Sequence, residues 1–232
     1  MTVKSINLWL ILGVALLWQP LSASAFIYSA EAVEGWVVDA GTEKPIEGVI
    51  VVAHWQLKGG FEGGNPVGEL KIIETVTDQN GRYYFPSWGP KFAWSGHLKS
   101  ESPEILMFKP GYKYLGMSNR WYRDRDTSKS DWNGKTVKLE PFKGTLEQYA
   151  DNLASLSSGL WIVGFEIGSH SGDYCGWRSF PRMLRALDEM DAQFRASPVA
   201  RRTVAAMLIG NDKFIQEKGC GSVFDVLGGA QK

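Results

Sequence analysis

The sequence has little of what metal centres and covalent active sites are usually built from. Its 232 residues include two cysteines and three histidines, and no two histidines form a His-x-His or His-Glu-x-x-His arrangement. We interpret His54, in a predicted strand, as structural, with metal ligation as the less favoured alternative. The polar segment 168–172, which contains Ser169 and His170, lacks the strand-to-helix setting of a serine nucleophile. We therefore predict no catalytic residue, no metal and no cofactor.

The chain also lacks an excess of charge of either sign. It has 25 basic and 25 acidic residues, for a formal net charge of zero, with neither a basic stripe nor a polybasic run. Nucleic acids and anionic membranes are bound chiefly through clustered Lys and Arg. The composition therefore predicts no nucleic-acid partner.

The apolar run at the N-terminus is too short and too early for a membrane span. Within residues 1–25 the only charge is Lys4, and the run covers residues 6–18. Residues 23–25 offer the small side chains that a signal peptidase needs. We predict a signal peptide that is cleaved between Ala25 and Phe26, and a periplasmic or secreted mature chain that does not span a membrane. An uncleaved anchor helix is the alternative.

The sequence does contain β-prone segments that are separated by turns. Val49–Trp55 is mostly apolar on both faces of an extended chain, as expected for a central strand of a sandwich. Shorter β-prone runs cover residues 36–39, 72–77 and 83–85. Asn80-Gly81 lies between the last two runs and predicts a hairpin, because both residues tolerate the left-handed conformation.

Three motifs in this part of the chain carry a family resemblance. They are Gly35-x-Val37-x-Asp39, Pro45-Ile46-x-Gly48-Val49-x-Val51 and Thr77-Asp78-x-Asn80-Gly81-x-Tyr83-x-Phe85. Together they resemble the carboxypeptidase regulatory-like domain, and the segments 108–112 and 136–141 extend the resemblance. It implies a mainly β fold, a transthyretin-like (prealbumin-like) antiparallel β-sandwich. The family is mostly an accessory module, and the resemblance indicates no particular activity, because one fold hosts many activities.

Enzymes are the less favoured interpretation. Intradiol dioxygenases share a related sandwich, but their His-x-His pair is absent, since the comparable strand reads Ile105-Leu106-Met107-Phe108. Hydroxyisourate hydrolases share the fold, but their C-terminal Tyr-Arg-Gly-Ser is missing. The His-x-x-Glu zinc pair of a carboxypeptidase catalytic domain is also missing. An enzyme with a site on a loop stays open as an alternative.

After Pro141 the apolar period becomes that of a helix. Thr145 and Gln148 form the signature of a capping box ahead of a helix that we predict to end at Gly159. A second helix is predicted from residues 179–181 and a third from residues 197–198, with residues 161–175 as an irregular connector. We therefore divide the chain into a signal peptide (1–25), a β-sandwich (26–142) and an α-helical extension (143–232). We expect the helices to pack on each other and on the sandwich.

The two cysteines, Cys175 and Cys220, are predicted to form a disulfide. Two cysteines in one exported chain most often pair with each other. A metal site needs more ligands, and a catalytic thiol needs a dedicated histidine.

Aromatic residues and arginines occur in three long segments between predicted strands, residues 56–70, 87–103 and 113–134. Segments of this length are uncommon without a role. Rings beside arginines can stack on a sugar face or on a peptide plane. The candidate ligand-binding residues are Trp88, Trp94, Arg120, Trp121, Tyr122, Arg123 and Trp132. The alternative is that these rings pack the segments onto the sandwich.

The sequence thus predicts an exported, non-catalytic accessory or binding module that recognises carbohydrate or peptide through Trp-rich loops. The expected partner is a glycan or a protein of the cell envelope. A structural or assembly role in the envelope is the alternative, because sandwich edges can accept an added strand.

Overall fold

The computed structural model describes residues 26–59, 64–93, 96–120, 127–165, 174–195 and 203–228. The predicted signal peptide, including Ala25, lies outside the described residues. The strands are β1 (Phe26–Ala30), β2 (Val33–Asp39), β3 (Ile50–Gly59), β4 (Asn65–Val76), β5 (Arg82–Phe85), β6 (Trp88–Ala93), β7 (His97–Leu98), β8 (Glu104–Phe108), β9 (Leu115–Met117), β10 (Thr127–Ser128) and β11 (Lys135–Leu139). The helices are α1 (Leu146–Phe165), a 3₁₀ helix (Gly176–Ser179), α2 (Pro181–Arg195), α3 (Val204–Gly210), α4 (Asp212–Glu217) and α5 (Val223–Leu227).

The strands of the described residues form three sheets. One has the order β11-β2-β5, a second has the order β4-β3-β8-β9 with β7 also paired to β3, and a third has the order β10-β1-β6. The predicted fold class, a mainly β sandwich with a C-terminal α-helical extension, is confirmed. The pairing is not antiparallel throughout, since β11 lies parallel to β2 and β10 lies parallel to β1.

The first hydrophobic core lies between the sheets. Alternate residues of β3, among them Val51 and Trp55, point into this core and pack with Tyr83 and Phe85 of β5. Burying a large apolar side chain stabilises the fold by about 1.5–3 kcal/mol. Since successive residues of a strand point to opposite faces, the other residues of β3 face away from this core.

The second hydrophobic core lies on that other face of β3 and is covered by the helices. Ile50 and Val52 of β3 and Phe108 of β8 pack there with buried residues of α1 and α2, such as Leu156 and Leu187. The helices therefore pack on each other and on the sandwich, as expected. The first residues of β3 are apolar on both faces because a sheet covers one face and helices cover the other.

A carboxylate of the sandwich also forms hydrogen bonds with the N-terminus of a helix. Glu74 of β4 accepts hydrogen bonds from the backbone amides of Arg182, at 3.0 Å, and Met183, at 2.8 Å. These amides belong to the first turn of α2, whose N–H groups have no partner inside the helix. Burial has the largest effect on the pKa of the Glu74 carboxyl and raises it. The hydrogen bonds from the two amides lower this pKa but do not outweigh burial.

The first helix is longer than the sequence predicts. The capping box forms, since Thr145 and Gln148 exchange hydrogen bonds of 3.0 and 3.3 Å. The helix does not end at Gly159 but continues to Phe165, because buried residues such as Leu160 extend its apolar face and outweigh the penalty of about 1 kcal/mol for glycine. Thr203 caps α3, which begins at Val204; the predicted start at residues 197–198 lies outside the described residues.

The Asn80-Gly81 turn is present, but the predicted hairpin is wrong. Gly81 has a φ of 71°, and its amide donates to the carbonyl of Asp78 at 2.8 Å. However, β4 pairs with β3, whereas β5 pairs with β2. The turn therefore carries the chain from one sheet to the other, because the apolar faces of β4 and β5 enter a core shared by two sheets.

Each of the three long segments contains strands among its described residues, and most of the segment 56–70 is strand, which corrects the prediction of plain loops. The segment 56–70 holds the end of β3 and the start of β4, the segment 87–103 holds β6 and β7, and the segment 113–134 holds β9 and β10. Backbone pairing with existing strands supplies the hydrogen bonds that a long loop would lack.

Cys175 and Cys220 form the predicted disulfide. It joins the start of the 3₁₀ helix to the segment between α4 and α5, and Cys220 belongs to the second core. Among the described residues, no helix is both long and apolar enough to cross a membrane.

Candidate functional site

A cleft opens between the helix-facing side of the second sheet and α1. Its volume is about 230 Å³. The sheet side carries the polar side chains together with Pro66 and Leu106, whereas the helix side is apolar. The lining residues are His54, Gln56, Pro66, Lys99, Glu104, Leu106, Gly159, Ile162 and Val163.

The sheet side of the cleft continues the face of β3 that carries the second core. His54 and Gln56 follow Ile50 and Val52 at the two-residue spacing of a strand, so all four point toward the helices. On the helix-facing side of β3, the first two residues, Ile50 and Val52, are therefore apolar and the next two, His54 and Gln56, are polar. Glu104 lies directly opposite His54 on β8.

A β-bulge brings a third polar residue to this face. Trp55 of β3 pairs with Lys71 of β4, but Gln56 pairs with Glu69, so that Leu70 is the extra residue. Leu70 is buried in the core between the sheets. Because the bulge shifts the alternation of β4 by one residue, the carboxylate of Glu69 lies beside His54 instead of inside that apolar core.

His54 is held by one carboxylate and leaves one ring nitrogen toward the cleft. Nδ1 donates to the carboxylate of Glu69, at 3.2 and 3.1 Å from its two oxygens. Nε2 lies 3.7 Å from Oε2 of Glu104, which is longer than a direct hydrogen bond. His54 is only 3% exposed, so the Glu69 contact fixes both the ring orientation and the nitrogen that remains available.

The protonation of His54 is set by opposing influences. Burial is the largest and lowers the pKa, because it disfavours the charged ring. The charge and hydrogen bond of Glu69, together with the charge of Glu104, act against burial and prevail. The pKa of His54 is therefore raised above 6.5.

Two further contacts complete the polar side of the cleft. Nζ of Lys99 donates to Oε2 of Glu104 at 3.2 Å, and Nε2 of Gln56 donates to Oε1 of Glu69 at 3.3 Å. The Glu104 side chain is 36% exposed, whereas that of Glu69 is 7% exposed. Glu104 and Lys99 thus lie at the open side of the cleft, and Glu69 lies behind His54.

The helix side of the cleft is shaped by a glycine. A Cβ atom at Gly159 would meet no other atom within 4 Å, so the missing side chain leaves open space. One turn further along α1, Ile162 is 47% exposed although it is a large apolar residue. Together with Val163, it forms an aliphatic wall opposite the polar residues.

The polar residues of the cleft are arranged for hydrogen bonding and not as a metal centre. Among the described residues, no group of three His, Cys, Asp or Glu side chains is arranged to hold a metal ion. Lys99 also places a positive charge next to Glu104. The polar groups therefore offer hydrogen-bond donors and acceptors rather than metal ligands.

The comparisons with known proteins do not add a function. No family model and no curated protein matches the chain. The chain is similar to 3-chlorocatechol 1,2-dioxygenase from Rhodococcus opacus 1CP, at 16% identity over 53% of this chain and 64% of that one, with a TM-score of 0.30. A streptococcal ancillary pilin is similar at 11% identity over 49% and 30%, with a TM-score of 0.27. The chain thus spans less than two thirds of either protein.

The chain is also similar to a pilin domain, with comparably low identity and TM-score. That domain is the C-terminal domain of shaft pilin SpaA from Lactobacillus rhamnosus GG, at 12% identity over 50% of this chain and 98% of that one, with a TM-score of 0.23. At such identities and TM-scores, neither activity nor partner is inferred from these proteins.

The predicted Trp-rich site is described only in part. Trp88 is half-buried in β6 and packs edge-to-face on Trp55, with ring centroids 5.2 Å apart. Nε1 of Trp132 donates to the carbonyl of Ser118 at 3.2 Å, and both rings pack against the core between the sheets. Arg120 is exposed. The remaining candidates lie outside the described residues: Trp94, Trp121, Tyr122 and Arg123.

The sequence prediction missed the cleft because it treated His54 in isolation. One signal was present, since His54 and Gln56 share a strand face with apolar residues. The partners of His54, however, come from β4 and from β8. Glu69 in particular reaches the site only through the bulge, which the sequence pattern does not indicate.

Proposed function

We propose that this chain is an exported, non-catalytic binding module whose ligand site is the cleft between the sandwich and α1. The observation that carries the proposal is the buried His54–Glu69 pair, which presents Nε2 to a cleft with an aliphatic wall. Pockets that combine apolar walls with a few convergent polar groups are the usual form of small-ligand sites.

The proposal includes the accessory role that the resemblance to carboxypeptidase regulatory-like domains implies. The Cys175–Cys220 disulfide supports export, because disulfides persist in oxidising compartments. Among the described residues that line the cleft, none carries a hydroxyl or thiol group, so the cleft lacks a serine, threonine or cysteine nucleophile. The Trp-rich site around Trp121 and Tyr122 stays a separate prediction.

The proposal is tested by observing the cleft while small polar probes are added. Methyl groups of Ile162 and Val163 can be labelled with ¹³C, and their resonances followed in the purified protein as methyl pyranosides, free amino acids or tripeptides are titrated. At least one probe class should shift both residues. Ile209, which lies on α3 and does not line the cleft, serves as the internal reference.

Two glycine variants form a matched pair for the same experiment. Gly159→Leu fills the cleft, whereas Gly210→Leu adds the same side chain on α3, where a Cβ atom also meets nothing within 4 Å. Both changes replace glycine by a better helix former, so neither should unfold the protein. Only Gly159→Leu should abolish the shifts. The proposal fails if no probe moves the cleft resonances, or if Gly159→Leu binds as wild type does.

A further inference from the structure

We propose that the cleft takes one neutral hydroxylated ring, such as a terminal pyranose of a glycan; this rests on the proposed function and specifies its ligand. The ring would contact Nε2 of His54 and the Glu104–Lys99 pair on the sheet side. Its carbon face would lie on the aliphatic wall of α1.

The Nε2 atom of His54, which lies 3.7 Å from Oε2 of Glu104, favours a hydroxyl group over a carboxylate or an ammonium group. Nδ1 is already used by Glu69, so Nε2 is the ring nitrogen that a ligand meets. When the ring is protonated, Nε2 donates, and when it is neutral, Nε2 accepts. A hydroxyl group can accept from the first form and donate to the second. A carboxylate can only accept and an ammonium group can only donate, so each fits one form alone.

The pair at the open side of the cleft favours two neighbouring hydroxyl groups. Oε2 of Glu104 and Nζ of Lys99 lie 3.2 Å apart and place an acceptor and a donor side by side. One hydroxyl of a ring can donate to the carboxylate while the next accepts from the ammonium group. Hydrogen bonds to charged groups are roughly twice as strong as neutral ones.

The same pair disfavours a ligand with a net charge. An anion that approaches Lys99 also meets the carboxylate of Glu104, and a cation that approaches Glu104 also meets Lys99. Since α1 lines the cleft with Gly159, Ile162 and Val163, it adds no charge to either side. The neutral ligand therefore matches the site best.

The size of the cleft limits the ligand to one ring. Its volume is about 230 Å³. Pockets that enclose drug-sized ligands measure roughly 300–1,000 Å³, so a longer glycan would extend out of the open side. Leu106 and Pro66 continue the apolar lining beside Ile162 and Val163.

The inference is tested with four probes of different charge and shape: methyl pyranosides, the open-chain polyol sorbitol, acetate and free leucine. We expect the pyranosides to shift the Ile162 and Val163 methyl resonances at lower concentration than the other three. Glu104→Gln should weaken pyranoside binding about tenfold, because it removes a charged hydrogen-bond acceptor. Glu140→Gln is the matched control, since Glu140 forms a similar ion pair with Lys113 outside the cleft.

Each outcome supports or overturns the inference. A pyranoside preference that is weakened by Glu104→Gln and not by Glu140→Gln supports it. If acetate, leucine or sorbitol shifts the cleft resonances at equal or lower concentration, the ligand class is wrong although the binding-module proposal stands. If none of the four probes shifts them, the ligand class is wrong, and if the tripeptides also fail to shift them, the binding-module proposal falls as well. Pyranoside binding that Glu104→Gln leaves unchanged overturns the assigned contacts; Gly159→Leu then reports whether the ring enters the cleft at all.

Discussion

Reducing the Cys175–Cys220 disulfide is expected to cause a large loss of stability. The two cysteines are 45 residues apart in the chain, and the bond encloses α2, α3 and α4. Closing a loop of that length in the unfolded chain removes entropy worth about 4 kcal/mol in the chain-entropy model. For a protein of this size, each kcal/mol shifts Tm by roughly 2–4 °C, so that reduction should lower Tm by about 8–16 °C.

The assay is thermal unfolding with and without a thiol reductant, followed by circular dichroism. Reduced wild type keeps both cysteine side chains, including Cys220, which packs in the second core. The change in its Tm therefore measures the loss of the cross-link alone and not a loss of packing. A Cys175→Ala/Cys220→Ala variant should melt at or below the temperature of reduced wild type and should not respond to the reductant. A shift under about 2 °C in reduced wild type, where free thiols are verified, would refute the entropic argument.

Two further predictions concern buried polar groups. Asp191 is 3% exposed and accepts from the amide of Thr203 at 2.9 Å and from its hydroxyl at 2.6 Å; Asp191→Ala should therefore lower the free energy of unfolding by about 2–3 kcal/mol. Asp188→Ala on the same helix is the control, and an equal loss in both variants in urea titrations would contradict this role. Since the pKa of His54 is raised above 6.5 in the folded state, its contribution is fully present below that pH and is lost as the pH rises through the folded-state value. The free energy of unfolding of wild type should then decrease over that interval relative to His54→Gln, and parallel pH profiles of the two proteins would contradict the prediction.

Features that depend on near neighbours in the sequence were predictable. The capping box of Thr145 and Gln148 forms as expected, since its two residues lie within one helical turn. Val49–Trp55 is recognisable as a central strand because its apolar residues occupy both faces. The Asn80-Gly81 turn is likewise local, since it needs only residues that accept the left-handed conformation.

Features that depend on which distant segments meet were not predictable. The same turn leads from one sheet to another instead of closing a hairpin, because strand pairing is set by the packing of whole sheets. Gly159 lies inside α1 because burial of the residues after it outweighs its own poor helix propensity.

The cleft belongs entirely to this second group. His54 is recognisable in the sequence as a polar residue on a strand, but its environment consists of a bulged strand, a neighbouring strand and a helix that are far from it in the chain. A local pattern can assign a residue to a face of a strand, since that depends only on the two-residue period of the backbone. It cannot indicate which carboxylate will lie beside a buried imidazole, because that distance is fixed by the packing of three separate elements.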